Sequence, residues 1–178
     1  MQKKPSPDRP RNYWDIREAP TTAKAWSPSG QRQVSLSAPA TCPGIFAVEI
    51  HFNIRHDTLL SPWLEKFFRL WPAPVVRICD EHLTVERILN AVRQFFYEQL
   101  TRYEISLLAN SPREYRAVYN ANHRRIRDAF WVSSGDFGVL RRIDLIAKGN
   151  FKFGGVDKVL RTSDNKLVIR YSLGQLPT

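Results

Sequence analysis

The sequence contains little cysteine and no long apolar run. Its two cysteines, Cys42 and Cys79, are far apart in the chain and do not form a disulfide framework. This usage is typical of a reducing compartment, so the sequence predicts an intracellular protein of the cytoplasm or nucleus. The start, MQKKPSPDRP, lacks the apolar segment of a secretory signal. No apolar run reaches the roughly 18 residues of a membrane helix, which predicts a soluble protein without membrane insertion.

The sequence also lacks the spacings that accompany catalysis and metal binding. Its histidines and cysteines show no CxxC, HxH or HExxH pattern. There is no G-x-S-x-G nucleophile elbow. The Asp-Phe-Gly triplet at 136–138 stands without the other kinase motifs, and we interpret it as a turn. We therefore predict no catalytic residue, no metal site and no cofactor.

Basic residues are present in clear excess. The chain has 27 Lys and Arg against 17 Asp and Glu, which gives a formal net charge of +10. The excess is spread along the chain without a block of like charges, so no simple basic arm is predicted. It favours anionic partners in general but does not identify one. Hydrophobic content of 43% indicates a globular protein.

Composition divides the chain into three parts. Seven of the twelve prolines lie within residues 1–44. We interpret 1–12 as a disordered, basic and proline-rich tail, because proline removes hydrogen-bond donors and disfavours helix. Residues 13–44 are predicted to form an extended strap packed on the domain, because Trp14 and Trp26 would be costly to leave in water. A disordered tail with incidental aromatics is the alternative. Residues 45–178 are predicted to form one globular domain.

The segment after the strap predicts two strands. In Ile45–Ile54, apolar and polar residues alternate, which indicates a half-buried strand. The apolar face is Phe46, Val48, Ile50, Phe52 and Ile54. Prolines interrupt the next stretch, which predicts a loop or a short helical turn near Leu64–Leu70. A second strand is predicted over Val75–Cys79, where Cys79 would be a buried, inert thiol.

Three helices are predicted from their starting residues. Thr84 is a natural N-cap before a stripe of apolar residues that ends near Leu100. Thr101 and Glu104 have the spacing of a capping box and begin a shorter helix through Ala109. Ser111 and Pro112 then begin a third helix, which runs to about Phe130.

The last part of the chain again predicts strands. Val139–Ala147 has the composition of a strand, and residues 156–172 predict a hairpin with its turn at Ser163–Lys166. The whole order predicts an α+β fold. It is a single domain with a mainly antiparallel sheet and about three helices on one face, preceded by the proline-rich strap.

The third helix carries the most basic surface of the chain. At ~100° per residue, four arginines fall within about 80° of one another. Tyr115, Val118, Tyr119, Asn122 and Ile126 fall on the opposite side. With two nearby lysines, the candidate surface for an anionic partner is Arg113, Arg116, Arg124, Arg127, Lys148 and Lys152.

Three functional interpretations remain open for this sequence. The first is a non-catalytic module that binds an acidic protein through its basic surface. The second is nucleic-acid binding by the arginine-lined helix. The third, an enzyme, would require a deep pocket holding His51 or His123 near a buried carboxylate. An ordinary solvated helix face is the alternative to the first two. Asp144 is expected to form an ion pair or hydrogen bond at the sheet, with Arg142 as its partner.

Several short motifs, taken in order, resemble a known family. They are Trp14-Asp15, Pro20-Thr21-Thr22-Ala23, the run from Leu36 to Thr41, Pro62-Trp63, Thr84, Gly138-Val139, the run from Arg141 to Leu145, Gly149, Phe153 and Gly155. Together they resemble the fungal family known as domain of unknown function 6699, over about residues 13–173. The resemblance implies a compact intracellular domain without an established activity. It marks Trp14, Pro39 and the Arg-Ile-Asp segment as family landmarks, with roles that can be wholly structural.

Overall fold

A computed structural model describes residues 11–27, 30–54, 56–77, 83–128, 138–148 and 150–173. Within these ranges, helices pack on one face of a sheet and form a single α+β domain. The predicted fold class is therefore confirmed. In the described part of the chain, no helix is long and apolar enough to cross a membrane. The predicted disordered tail lies, for residues 1–10, outside the described residues.

The described residues form a sheet of seven strands, five of whose six pairings are antiparallel. The strands are β1 (Arg11–Asp15), β2 (Lys24–Ser27), β3 (Gly30–Gln33), β4 (Ala47–Asn53), β5 (Val75–Arg77), β6 (Lys152–Arg161) and β7 (Lys166–Leu173). Their order is β3-β2-β1-β6-β7-β4-β5. Strands β4 and β7 form the parallel pair, and both contribute side chains to the main core. The mainly antiparallel sheet agrees with the prediction.

The segment before β4 contributes strands and core side chains. Strand β1 pairs with both β2 and β6, so the chain start extends the sheet. Trp14 is 1% exposed and Ile16 is fully buried. The Trp14 indole N–H donates to the Ala19 carbonyl oxygen at 3.2 Å. A buried tryptophan removes a large apolar area from water, so this segment stabilises the domain.

Strand β4 follows the predicted alternation, with one exception. Val48 and Ile50 are fully buried, and the larger Phe52 packs on the same core from its edge. Phe46 was predicted on this face but is 65% exposed. The prediction was wrong there because β4 begins only at Ala47, so the alternation does not extend back to Phe46.

The predicted C-terminal hairpin is confirmed by β6 and β7. The turn lies between Arg161 and Lys166, within the predicted region. Asn165 has a φ of 56°, a left-handed conformation that asparagine tolerates better than most residues. The turn chemistry of the sequence therefore indicated this connection correctly.

Four α-helices lie within the described residues, and the three predicted ones are confirmed. They are α1 (Glu65–Leu70), α2 (Val85–Tyr97), α3 (Arg102–Ala109) and α4 (Pro112–Asp128). The Thr84 hydroxyl accepts the Arg87 N–H, and Thr101 and Glu104 form the predicted capping box. The short helical turn expected near Leu64–Leu70 corresponds to α1. Helix α2 buries Ile88, Val92 and Phe96 against the sheet.

The predicted strand over Val139–Ala147 is wrong. Arg142–Leu145 forms a short 3-10 helix, and every residue from Arg142 to Ile146 is buried. Helices α2 and α4 both contact this segment, so it lies in the helical layer. A short apolar run has the same composition in a strand and in a buried helical turn, and periodicity does not distinguish them.

Glu104 links the start of α3 to Trp71 and predicts a defined acid sensitivity. Burial disfavours its charge, but hydrogen bonds from Trp71 and Thr101, with the Arg142 charge, outweigh that effect and hold the pKa of Glu104 below its ordinary value of 4.5. A lowered pKa in the folded state stabilises the protein above pH 4.5, and the stabilisation is lost as pH falls through the folded pKa. We expect Glu104→Gln to flatten the decline of unfolding free energy on acidification, as measured by urea unfolding at several pH values. An unchanged slope would contradict this assignment.

Candidate functional site

Helix α4 is amphipathic in the predicted direction. Val118, Asn122 and Ile126 are buried against the domain. Arg113 and Arg116 are exposed on the opposite side. Arg127 is exposed as well, which agrees with the predicted arginine-lined face, whereas the fourth predicted arginine, Arg124, is half-buried.

One flank of α4 carries a row of stacked rings. Tyr115 and Tyr119 have ring centroids 6.2 Å apart, and Tyr119 meets His123 edge-on at 4.5 Å. Tyr119 was predicted to face inward, but it is 40% exposed. The prediction was wrong because Tyr119 lies at the boundary of the apolar face, where stacking on its helical neighbours covers only part of the ring.

A fifth arginine of α4, Arg125, points inward and was missed by the sequence prediction. Its Nε lies 2.8 Å from Asp144 Oδ1 and its Nη2 lies 3.2 Å from Asp144 Oδ2. The prediction that Asp144 pairs with Arg142 was therefore wrong. The available signal was the helical position of Arg125, which falls within about 20° of the buried Val118 at ~100° per residue.

The carboxylate of Asp144 is fully engaged in structural bonds. Besides Arg125, it accepts the Arg141 backbone N–H at 2.8 Å and the Asn122 amide at 3.3 Å. Asp144 is 2% exposed. These bonds tie the 3-10 helix to α4, and they give Asp144 a structural role.

Arg141 and Arg142, which precede Asp144 in the chain, contact residues of the neighbouring helical layer. The Arg141 guanidinium donates to the Tyr97 carbonyl oxygen at 2.6 Å. Arg142 lies over the rings of Trp71 and Phe95, at 4.4 Å and 4.6 Å from their centroids. Burial lowers the pKa of Arg142, and its ion pair with Glu98 at 2.5 Å opposes that effect. The Arg-Ile-Asp segment is therefore a structural junction between α2 and α4.

A cavity of about 350 Å³ opens beside the C-terminal half of α4. We call it the α4 cavity. Ala121, Ile143, Ile146 and Phe151 supply its apolar lining. The polar lining is Arg17, Glu18, Tyr97, Arg124, Arg125, Asp128, Asp144 and Lys148. Its size lies within the range of pockets that accept a small ligand or a single anchoring side chain.

The four cations of the α4 cavity differ in their contacts. Arg17 pairs with Asp15 at 2.6 Å, and Arg125 pairs with Asp144. Arg124 and Lys148, by contrast, have no hydrogen bond or ion pair within the described ranges. The cavity therefore combines an apolar lining with two cations that form no direct bond to another described residue.

The six residues of the predicted surface do not all lie together. Arg113, Arg116, Arg124 and Arg127 share the outer face of α4, and Lys148 joins Arg124 at the cavity. Arg127 is engaged by Asp128, with Nε and Oδ1 3.2 Å apart. Lys152 lies in β6 opposite Asp15 and does not line the α4 cavity. The structure thus brings Arg124 and Lys148 together and separates Lys152 from them.

His51 lines a second, larger cavity beside β4. Its Nε2 lies 2.6 Å from Glu49 Oε1, and Lys166 Nζ lies 2.6 Å from Glu49 Oε2. Hydrogen bonds from Lys166 and then His51 lower the pKa of Glu49. The enzyme hypothesis required a pocket that holds His51 near a buried carboxylate. Glu49 lies near His51, but its side chain is 23% exposed, so this requirement is met only in part. Among the described residues, no group of three or more His, Cys, Asp or Glu is placed to hold a metal ion.

The fold and this surface define a single α+β domain with a basic helical face. A family described as "Family of unknown function (DUF6699)" matches residues 12–166. The chain belongs to this family, which confirms the resemblance found in its motifs. Comparisons with curated proteins and with solved structures found no match.

Proposed function

We propose that this protein is a non-catalytic interaction module that binds an acidic segment of another protein. The segment would place a carboxylate between Arg124 and Lys148 and an apolar side chain in the α4 cavity. The observation that carries the proposal is that these two cations, which form no direct bond to another described residue, lie beside the apolar lining of one cavity. Arginine is enriched at protein interfaces. The side chains that contribute most to binding fill well-packed pockets on the partner.

The charges around the α4 cavity favour a ligand with few negative groups. Glu18 and Asp128 also line the cavity, and their carboxylates repel a dense polyanion. A protein segment with one or two acidic residues can contact the cations while keeping clear of these groups. This charge pattern favours an acidic peptide over a nucleic-acid backbone.

A second candidate function is binding of single-stranded nucleic acid along α4. It is favoured by the exposed row of Tyr119 and His123 beside the unpaired Arg116, because bases stack on exposed rings while arginines contact phosphates. Arg113 and Arg116 also lie roughly 12 Å or more along the helix from Arg124, at 1.5 Å per residue. Because of this distance, substitutions at Arg113 and Arg116 test the second candidate without changing the cavity at Arg124.

The proposed function predicts a loss of binding from two charge reversals. The probe is a short fluorescein-labelled peptide in which aspartates surround one leucine and flanking prolines prevent strand pairing. We expect Arg124→Glu with Lys148→Glu to weaken binding roughly tenfold, since about 1.4 kcal/mol corresponds to that factor. Fluorescence anisotropy measures the affinity, and circular dichroism checks the fold.

The matched control makes the same change in net charge at positions outside the α4 cavity. Lys24 and Lys66 are exposed, lie in β2 and α1, and have no ion-pair partner in the described part of the chain. Lys24→Glu with Lys66→Glu should leave the affinity within about twofold, an energy change well below the 1.4 kcal/mol of a tenfold effect. Equal losses in both double variants would show nonspecific attraction and contradict the proposal.

A single-stranded RNA oligonucleotide is the second probe of the same experiment. Tight RNA binding that falls steeply with salt and is lost in Arg113→Glu with Arg116→Glu would support the second candidate. If the acidic peptide then failed to bind, the first proposal would be wrong. Weak RNA binding that is insensitive to these two arginines would remove the second candidate.

We also propose that the protein acts in a reducing compartment, the cytoplasm or the nucleus. Cys42 is an exposed free thiol, which is ordinary in such a compartment and liable to oxidation outside it. Imaging of the tagged protein tests the location. Accumulation in an oxidising compartment would contradict it.

A further inference from the structure

Strand β4 has an edge that its neighbour covers only in part. Strand β5 pairs with Ala47–Glu49, and among the described residues the last bond on this edge joins the Ile50 N–H to the Pro74 carbonyl oxygen at 2.9 Å. Pro72 lacks an N–H, so the chain that leads into β5 is unsuited to continue the ladder. On its other side, β4 continues to pair with β7 as far as Asn53.

The uncovered part of this edge faces a cavity of about 500 Å³. Five consecutive residues of the β4 segment, 50–54, line one side of it. Hydrogen-bonding directions alternate along a strand, so the N–H and C=O of Phe52 point to the same edge as those of Ile50. The edge therefore offers backbone groups to an extended chain, and we call this cavity the β4 groove.

One wall of the β4 groove is aromatic and rigidly held. Phe68 and Trp71 pack edge-to-face, with ring centroids 4.7 Å apart, and Phe95 lies 6.0 Å from Trp71. The Trp71 indole N–H donates to Glu104, and Arg142 covers the ring at 4.4 Å. A preformed wall reduces the entropy that a ligand loses on binding.

The opposite wall is polar and carries positive charge. His51 and Arg170 lie side by side in register on β4 and β7, on the sheet face away from the helices. Arg170 is exposed and has no ion-pair partner within the described ranges. Arg69 also lines the groove and is paired with Glu65 at 2.5 Å. The groove therefore has an apolar side and a basic side, on either side of the strand edge.

We infer that the β4 groove binds an extended peptide that alternates apolar and acidic residues. The peptide adds a strand to β4 at Phe52, a recognition mode in which main-chain hydrogen bonds supply affinity. Successive side chains of a strand point to opposite faces, so apolar residues meet Phe68 and Trp71 while acidic residues meet Arg170. This site is separate from the α4 cavity and does not depend on it.

The test uses an N-terminally fluorescein-labelled and C-terminally amidated hexapeptide that alternates glutamate with valine or phenylalanine. We expect Arg170→Glu to weaken its binding roughly tenfold, as measured by fluorescence anisotropy. Lys24, which is exposed on β2 and lies four strands away from β4, provides the matched control. Lys24→Glu should leave the affinity within about twofold.

Methylation of the peptide amides tests the strand pairing without changing the protein. Methyl groups on the alternate amides that face β4 should abolish binding, and methyl groups on the other amides should leave it intact. Equal effects of the two methylation patterns, or absence of binding by the unmethylated peptide, would overturn the inference. Binding lost in Arg124→Glu with Lys148→Glu but kept in Arg170→Glu would assign the peptide to the α4 cavity and also overturn it.

Discussion

Replacing Asp144 with alanine is expected to cost about 3–5 kcal/mol of unfolding free energy, because a buried charge then loses its partner. The Arg125 side chain is 14% exposed, so water replaces the lost carboxylate poorly. The variant also loses the bond that holds the Arg141 N–H. Total stabilities of domains are about 5–15 kcal/mol, so the urea midpoint should fall by a large fraction.

An exposed ion pair of the same helix provides the control for this prediction. Arg127 and Asp128 have side chains that are 76% and 58% exposed. Asp128→Ala should cost less than about 1 kcal/mol, as exposed pairs do. Arg125→Met combined with Asp144→Leu should recover part of the loss, because no unpaired charge remains. Equal losses of unfolding free energy in Asp144→Ala and Asp128→Ala would show that the buried pair stabilises the protein no more than the exposed pair does.

Replacing Trp14 with alanine should destabilise the domain by about 3–5 kcal/mol, the usual cost of truncating a buried aromatic residue. Trp14 belongs to the main core, with Ile16 and Leu173. The result would show that β1 is an integral part of the fold. For a domain of this size, each kcal/mol lowers Tm by about 2–4 °C, so calorimetry resolves the effect.

Tyr103→Ala provides the comparison for Trp14→Ala. Tyr103 is 68% exposed on α3, and its removal should change the unfolding free energy by no more than about 0.5 kcal/mol. If Trp14→Ala were as mild as Tyr103→Ala, the N-terminal strands would be peripheral to stability.

Local chemistry made the helices and the hairpin predictable. Thr84 and Thr101 satisfy N–H groups within three residues along the chain, so their capping can be seen in the sequence itself. Asn165 has a turn preference that acts at its own backbone. These signals depend on short spacings, and the structure follows them.

Contacts between distant residues were not predictable in the same way. Arg125 and Asp144 are 19 residues apart, and only the packing of the 3-10 helix on α4 brings them together. The α4 cavity draws its lining from the turn after β1, the end of α2, α4, the 3-10 helix and the segment that follows it, which no local pattern connects. The sequence indicated a basic face on α4, and only the tertiary structure showed that Lys148 and Arg124 line the same cavity.

The proposed function requires that Arg125 stabilise the packing of α4 while Arg124, with Lys148, binds an acidic partner. The most direct test is an NMR titration of amide shifts with the proline-flanked acidic peptide. We predict shifts concentrated at residues 121–128 and 143–148 that disappear in Arg124→Glu with Lys148→Glu. Shifts confined to other parts of the domain, or unchanged by that double variant, would contradict the claim.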